Sequence, residues 1–126
     1  MLTVNALVAA DAVLIPTQPP AADLRGLRLF LETLEKIRAE LNPDLETLGI
    51  LVTFYDNRLN HHKEAVEAMN SAGLNVLPVM VGRSVRVAEA AAHGQPVTTH
   101  EPRNPQAEAY RELARTVTKW QNGKRT

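Results

Sequence analysis

Gly49-Ile50-Leu51-Val52-Thr53-Phe54-Tyr55-Asp56-Asn57-Arg58 is the stretch whose reading decides the fold. From Gly49 to Tyr55 it is almost wholly apolar or β-branched, and it closes on the turn residues Asp56, Asn57 and Arg58. An apolar run with no alternation, bounded by turn signals, reads as a strand buried on both faces. Helical patterns flank it on both sides, which is the βαβ arrangement of a parallel sheet. In such sheets ligands sit beyond the carboxyl ends of the strands, so the Tyr55–Arg58 loop is a candidate ligand edge.

Working outward, Ala12-Val13-Leu14-Ile15-Pro16 reads as a second short buried strand, ended by Thr17-Gln18-Pro19-Pro20. Residues 3–10 before it are small and helix-compatible, with Thr3 as the expected cap. Residues 23–42 give the strongest helical stripe. Leu24, Leu27, Leu31, Leu34 and Ile37 recur at spacings of three and four, Asp23 sits at the start, and Asn42-Pro43 stops it. Beyond Arg58, residues 60–72 read as a helix with Val66 and Met69 inward and Gly73 at its end. Asn75 to Val81 read as a third strand, whose Pro78 marks an edge or a bulge. Residues 85–92 read as a short helix, Gln95-Pro96-Val97 as extended chain, and 105–121 as the last helix, with Pro105 in its first turn. Ala107, Tyr110, Leu113, Ala114, Val117 and Trp120 form that helix's expected buried stripe, and residues 121–126 an expected frayed basic tail. With no repeat or linker in sight, residues 1–126 read as one domain unit.

Composition narrows the function. The chain has 126 residues, no cysteine and zero formal net charge. Disulfides, thiol nucleophiles and cysteine metal sites are therefore excluded. No apolar run approaches the roughly 18 residues of a membrane span, and with no basic start of a signal peptide the expected location is the cytoplasm. Charge is unevenly spread. Residues 1–57 hold four Lys/Arg against eight Asp/Glu, and residues 58–126 hold ten against six. That imbalance admits a basic patch on the second half or an ordinary scatter of solvated charges.

Arg58, Arg83 and Arg86 fall on the loops that follow the second and third strands, so a parallel sheet brings them to one rim. Arginine forks suit phosphate, although on pattern alone three surface arginines at loop starts are the plainer reading. Arg111, Arg115 and Lys119 repeat every four residues along the last helix. Glu108 and Glu112, each three residues before an arginine, favour a solvated face there over a nucleic-acid track. His61 and Glu64 are the one pair near His62 that offers two metal ligands a turn apart, too few for a site. His93 and His100 read as isolated. No glycine-rich loop followed by Lys-Ser/Thr is present, so a phosphate cradle is not evident.

Several segments resemble ParA/Soj-type partition ATPases of the MinD/ParA superfamily. They are Leu2-Thr3-Val4-Asn5-Ala6-Leu7 with Ala9-Ala10-Asp11 and Val13-Leu14-Ile15-Pro16, then Leu48 to Thr53 with Tyr55-Asp56-Asn57-Arg58. Arg83 to Ala90, His93-Gly94-Gln95-Pro96-Val97 and Ala109 to Ala114 follow in the same order. Gly82 departs from the pattern, since the family has Ile-Pro where this chain has Val81-Gly82. The resemblance implies a P-loop NTPase-like, mostly parallel α/β sheet flanked by helices. It covers the C-terminal half of the family's domain, without the P-loop half that carries Walker A and Walker B. It also implies Arg58, Gly82 and Ser84 near the adenine of ATP, and Arg58, Arg83 and Arg86 in a surface for nonspecific DNA. Residues Gln18 to Gly26 would lie near a nucleotide-sandwich dimer interface. ATP and Mg would be the cofactors of the intact protein, and a ParB-like protein and a homodimer mate or the N-terminal half its partners. By the same reading the isolated chain holds no nucleotide tightly and is not catalytic. A stand-alone interaction or DNA-binding half-domain is the alternative. An uncovered edge along Val13-Leu14-Ile15 predicts self-association or marginal folding.

Overall fold

The computed structural model describes residues 1–19 and 24–124. In chain order the elements are α1 (Leu2–Ala9), β1 (Ala12–Thr17), α2 (Leu24–Glu40), β2 (Glu46–Tyr55), α3 (Asn60–Ser71), β3 (Val76–Gly82), α4 (Val85–Ala92), α5 (Val97–His100) and α6 (Pro105–Lys124). The three strands form one parallel sheet in the order β1-β2-β3. The expected α/β architecture is thus present.

Side chains alternate across the sheet with period two. Ile15, Ile50 and Val52 point into a core completed by Leu7 of α1, Leu34 and Ile37 of α2, Leu45, and Val66 and Met69 of α3. Leu51, Leu77 and Val81 point the other way, against Ala109 and Leu113 of α6. Helices therefore cover both faces, which is why β2 reads as a continuous apolar run and not as an alternation. Each fully buried side chain of this kind contributes roughly 1.5–3 kcal/mol of transfer free energy. A smaller cluster of Ala90, Val97 and Ala107 joins α4, α5 and α6.

Several expectations need correction. Gly49 does not open β2. The strand begins at Glu46, and Gly49 sits inside it at a register shift opposite Val13 and Leu14, with φ of 143°. A Cβ there would lie 2.9 Å from Leu77 Cδ2 and 3.0 Å from the Asn75 carbonyl oxygen, so the bulge requires glycine. Burial on both faces holds for Ile50, Leu51 and Val52 but fails at Phe54, which is 46% exposed. Thr3 lies inside α1 and does not cap it; Met1 occupies the cap position without a side-chain hydrogen bond. The carbonyls at the other end of α1 are met by Asn42, whose Nδ2 donates to the oxygens of Leu7, Val8 and Ala10 at 3.0, 3.1 and 2.9 Å. Val97 is not extended chain; it opens the one-turn α5 and is buried. Tyr110 and Ala114 are exposed, and Ala107, Leu113, Val117 and Trp120 supply the inward side of α6. Helix α6 continues through Lys124, so the chain is helical where fraying was expected at 121–124. Asp23, the expected acidic residue at the start of α2, lies outside the described residues, as do positions 125–126.

Candidate functional site

Strands β2 and β3 end side by side, with Tyr55 paired to Gly82. Beyond them opens a cleft of about 410 Å³ lined by Tyr55 to Arg58, Met80, Gly82, Arg83, Pro105 and Gln106. The loop expected to be a ligand edge therefore forms one wall, and the start of α6 forms the other.

The first wall is held locally. Asp56 accepts hydrogen bonds from the Arg58 backbone N–H and from its Nε and Nη2, all at 3.0 Å. The Arg58 guanidinium holds the Asp56 carboxyl down at about 2. Beneath it, His62 is buried and its Nδ1 accepts the Asp56 backbone N–H at 2.9 Å. The proton of the neutral ring then sits on Nε2. His62, which adjoins the His61–Glu64 pair, is thus a loop anchor. Among the described residues no group of three or more potential ligands gathers anywhere. His93 and His100, which read as isolated, come together as stacked rings 4.9 Å apart.

The second wall starts from a helix cap. Asn104 Oδ1 accepts the Gln106 N–H at 2.8 Å, with Pro105 between them. This cap places Gln106 so that its Oε1 accepts the Gly82 N–H at 2.5 Å. Asn104 Nδ2 also reaches Ser84 Oγ at 3.4 Å, and Ser84 Oγ accepts the Arg86 N–H at 3.2 Å to start α4. Gly82 and Ser84 are thus joined through α6, a link that only the folded chain makes. A proline at position 82 would have no N–H to give to Gln106.

The three arginines meet the rim in different states. Arg58 and Arg83 line the cleft; Arg86 does not, and sits in the first turn of α4. Arg58 is bound to Asp56, and Arg86 pairs with Glu89 at 3.1 Å. Arg83 lies over the Phe54 ring, its Cζ 5.7 Å from the centroid. Phe54 itself holds a φ of 54°, an unusual conformation for a bulky residue, and nothing in the sequence pattern signals it. On α6, Arg111 and Arg115 are paired with Glu108 and Glu112, as the solvated-face reading expects. Of the stretch from Gln18 to Gly26, residues 20–23 lie outside the described residues, and both Gln18 and Gly26 are exposed.

The polar groups that face the cleft at the strand ends are the Asp56–Arg58 pair and the Gln106 amide, whose oxygen holds the Gly82 N–H. Among the described residues the cleft has no run of glycine N–H groups with a lysine that would suit a triphosphate and its Mg. No described helix is long and apolar enough to cross a membrane.

Known proteins resemble this chain along most of its length. Residues 4–97 match the model of the CobQ/CobB/MinD/ParA nucleotide binding domain. The chromosome-partitioning ATPase Soj of Thermus thermophilus is 46% identical over 118 residues, covering 92% of this chain and 47% of that protein. The chromosome partitioning protein ParA of Caulobacter vibrioides is 38% identical over 118 residues, covering 93% and 44%. Among solved structures, cobyrinic acid a,c-diamide synthase from Mycobacterium smegmatis with bound ADP and magnesium superposes with a TM-score of 0.76 at 31% identity. That superposition covers 97% of this chain and 43–44% of the synthase chains. The chain spans about half the length of the curated relatives it matches. With a family model matched over most of its length, a parallel three-stranded sheet and a cleft at the strand ends, the chain belongs to the CobQ/CobB/MinD/ParA nucleotide-binding family.

Proposed function

We propose that this chain supplies the base side of the ATP site in a ParA-type chromosome or plasmid partition ATPase, residues 1–126 acting as one portion of a single domain. The observation that carries the reading is the cleft where β2 and β3 end, with Gly82 and Gln106 on one wall and Arg58 on the other. Gly82 and Ser84 are the residues for the adenine end, with Arg58 beside them. The intact assembly binds ATP with Mg, dimerises through it, coats nonspecific DNA in the cytoplasm at the nucleoid, and hydrolyses ATP under a ParB-like partner. The chain by itself holds no nucleotide tightly and turns none over. Purified chain incubated with ATP and Mg tests this directly: phosphate release or nanomolar affinity overturns it.

For DNA, Arg83 carries most of the contribution, since the charges of Arg58 and Arg86 are balanced by Asp56 and Glu89. Binding to nonspecific duplex falls steeply with salt. The Arg83→Ala/Arg86→Ala double variant flattens that dependence; an unchanged slope removes these residues from the DNA surface.

A further inference from the structure

Strand β2 breaks its own alternation where it ends. Ile50 and Val52 face the core under α2 and α3, and Leu51 faces α6. Period two would send Thr53 to the α6 side and Phe54 back toward the first core. Instead Thr53 and Phe54 both line one apolar groove with Val87, Ala88, Ala91 and Tyr110, and it is Tyr55 that packs on the first core. The ladder explains the switch. Val52 stands opposite Met80 and Tyr55 opposite Gly82, so three steps along β2 match two along β3. The extra residue makes a bulge, a device that re-aims a side chain. Phe54 sits there with a φ of 54°, a left-handed conformation that glycine adopts readily and a bulky aromatic does not. Its ring stays 46% exposed, so burial in the core does not account for the strain.

What the ring touches is Arg83, whose Cζ lies over it at 5.7 Å from the centroid. The backbone on either side of Arg83 is pinned from the start of α6, where Gln106 takes the Gly82 N–H and Asn104 reaches Ser84 Oγ. The direction of the side chain is left to Phe54, because no carboxylate of the described residues pairs with Arg83. The other two rim arginines are ordered differently. Arg58 donates Nε and Nη2 to Asp56, and Arg86 donates Nη1 to Glu89. A guanidinium carries its N–H groups in its own plane, so a carboxylate occupies that edge whereas an aromatic face leaves it open. We infer that Phe54 is a positioning residue: the bulge turns its ring under Arg83, which is thereby held at the rim with its N–H edge free for a backbone phosphate of duplex DNA. This rests on the reading of Arg83 as the main DNA contact.

The test titrates the full chain with mixed-sequence duplex at low salt. Phe54→Leu keeps apolar bulk over the groove and removes the aromatic face, and it should weaken binding about threefold. Phe54→Trp keeps a face and should bind like the parent. The deciding arm is the Arg83→Ala background, in which Phe54→Leu should change nothing further. A residue that serves only the fold would weaken binding equally with and without Arg83, and that result would overturn the inference. A second measurement needs neither DNA nor a variant. In the unaltered chain, nuclear Overhauser contacts are expected between the Phe54 ring protons and the Arg83 side chain, and their absence would equally overturn it. If those contacts are present and the chain binds no duplex, the failure belongs to the DNA reading proposed above and not to the hold of Phe54 on Arg83.

Discussion

The two rims of the sheet are built by opposite means. At the carboxyl rim the polar groups of each loop are satisfied within a few residues: Arg58 by Asp56, and the Arg86 N–H by Ser84. Gln106 and Asn104, neighbours at the start of α6, reach in from far along the chain. At the amino rim the bonds span the sequence. Asn42 reaches back to α1, and Glu46 at the start of β2 takes the Trp120 Nε1–H at 2.5 Å and the Lys124 ammonium. Lys124, followed by the Trp120 N–H, holds the Glu46 carboxyl below its usual range. One rim is tied to the rest of the fold and the other is capped upon itself. Loops that cap themselves leave the strand ends accessible, as a ligand edge requires.

Asn42→Ala offers the largest test of that contrast. Its two amide hydrogens are shared among three carbonyls at the end of α1, and their loss leaves acceptors unmet. The variant should lose about 2 kcal/mol in urea unfolding, with the α1 amides becoming fast to exchange. A stability unchanged within error would show that the amino rim is not where α1 is held. Gly82→Ala probes a long-range contact of the other rim. The new Cβ would stand 2.7 Å from Gln106 Nε2, the free end of a flexible side chain. Gln106 should swing away at a cost of about 1 kcal/mol or less, and its side-chain amide resonances should shift. A larger loss would make the carboxyl rim as structural as the amino rim.

The smallest expected effect is at Asp56. Its folded pKa, near 2, lies below the ordinary 3.8, so its contribution is present above about 4 and fades as pH falls toward 2. The difference in melting temperature between the chain and Asp56→Asn should therefore be seen at neutral pH, shrink below about pH 4 and disappear only as pH falls through 2. A difference that grows on acidification would place the carboxyl in another environment.

Much of this arrangement was legible in the sequence, and the failures share a cause. Strands and helices follow from the local run of apolar residues, as in Leu34, Ile37, Ile50 and Val52, because each buries a face against whatever lies opposite. The rim residues Arg58, Gly82, Arg83 and Ser84 follow from turn chemistry and from resemblance. What could not be read are residues whose partners are distant or whose backbone is unusual. Gln106 and Asn42 look like ordinary surface amides until the fold brings Gly82 and α1 to them. His62 looks like one more polar residue beside His61, although it lies buried under the Asp56 turn. The Gly49 bulge is invisible to periodicity, since a glycine within an apolar run reads equally well as the turn before it. Trp120 was expected to face the core, and it does so only in part, because its indole N–H finds Glu46.

Helix α6 gives these rims a mechanical relation. Twenty residues at about 1.5 Å each make a rod of roughly 30 Å. Its first turn touches Gly82 through Gln106, and its last turns are fastened to Glu46. One rod therefore carries a polar contact to each rim of the sheet, while its middle is packed on the sheet face through Ala109 and Leu113.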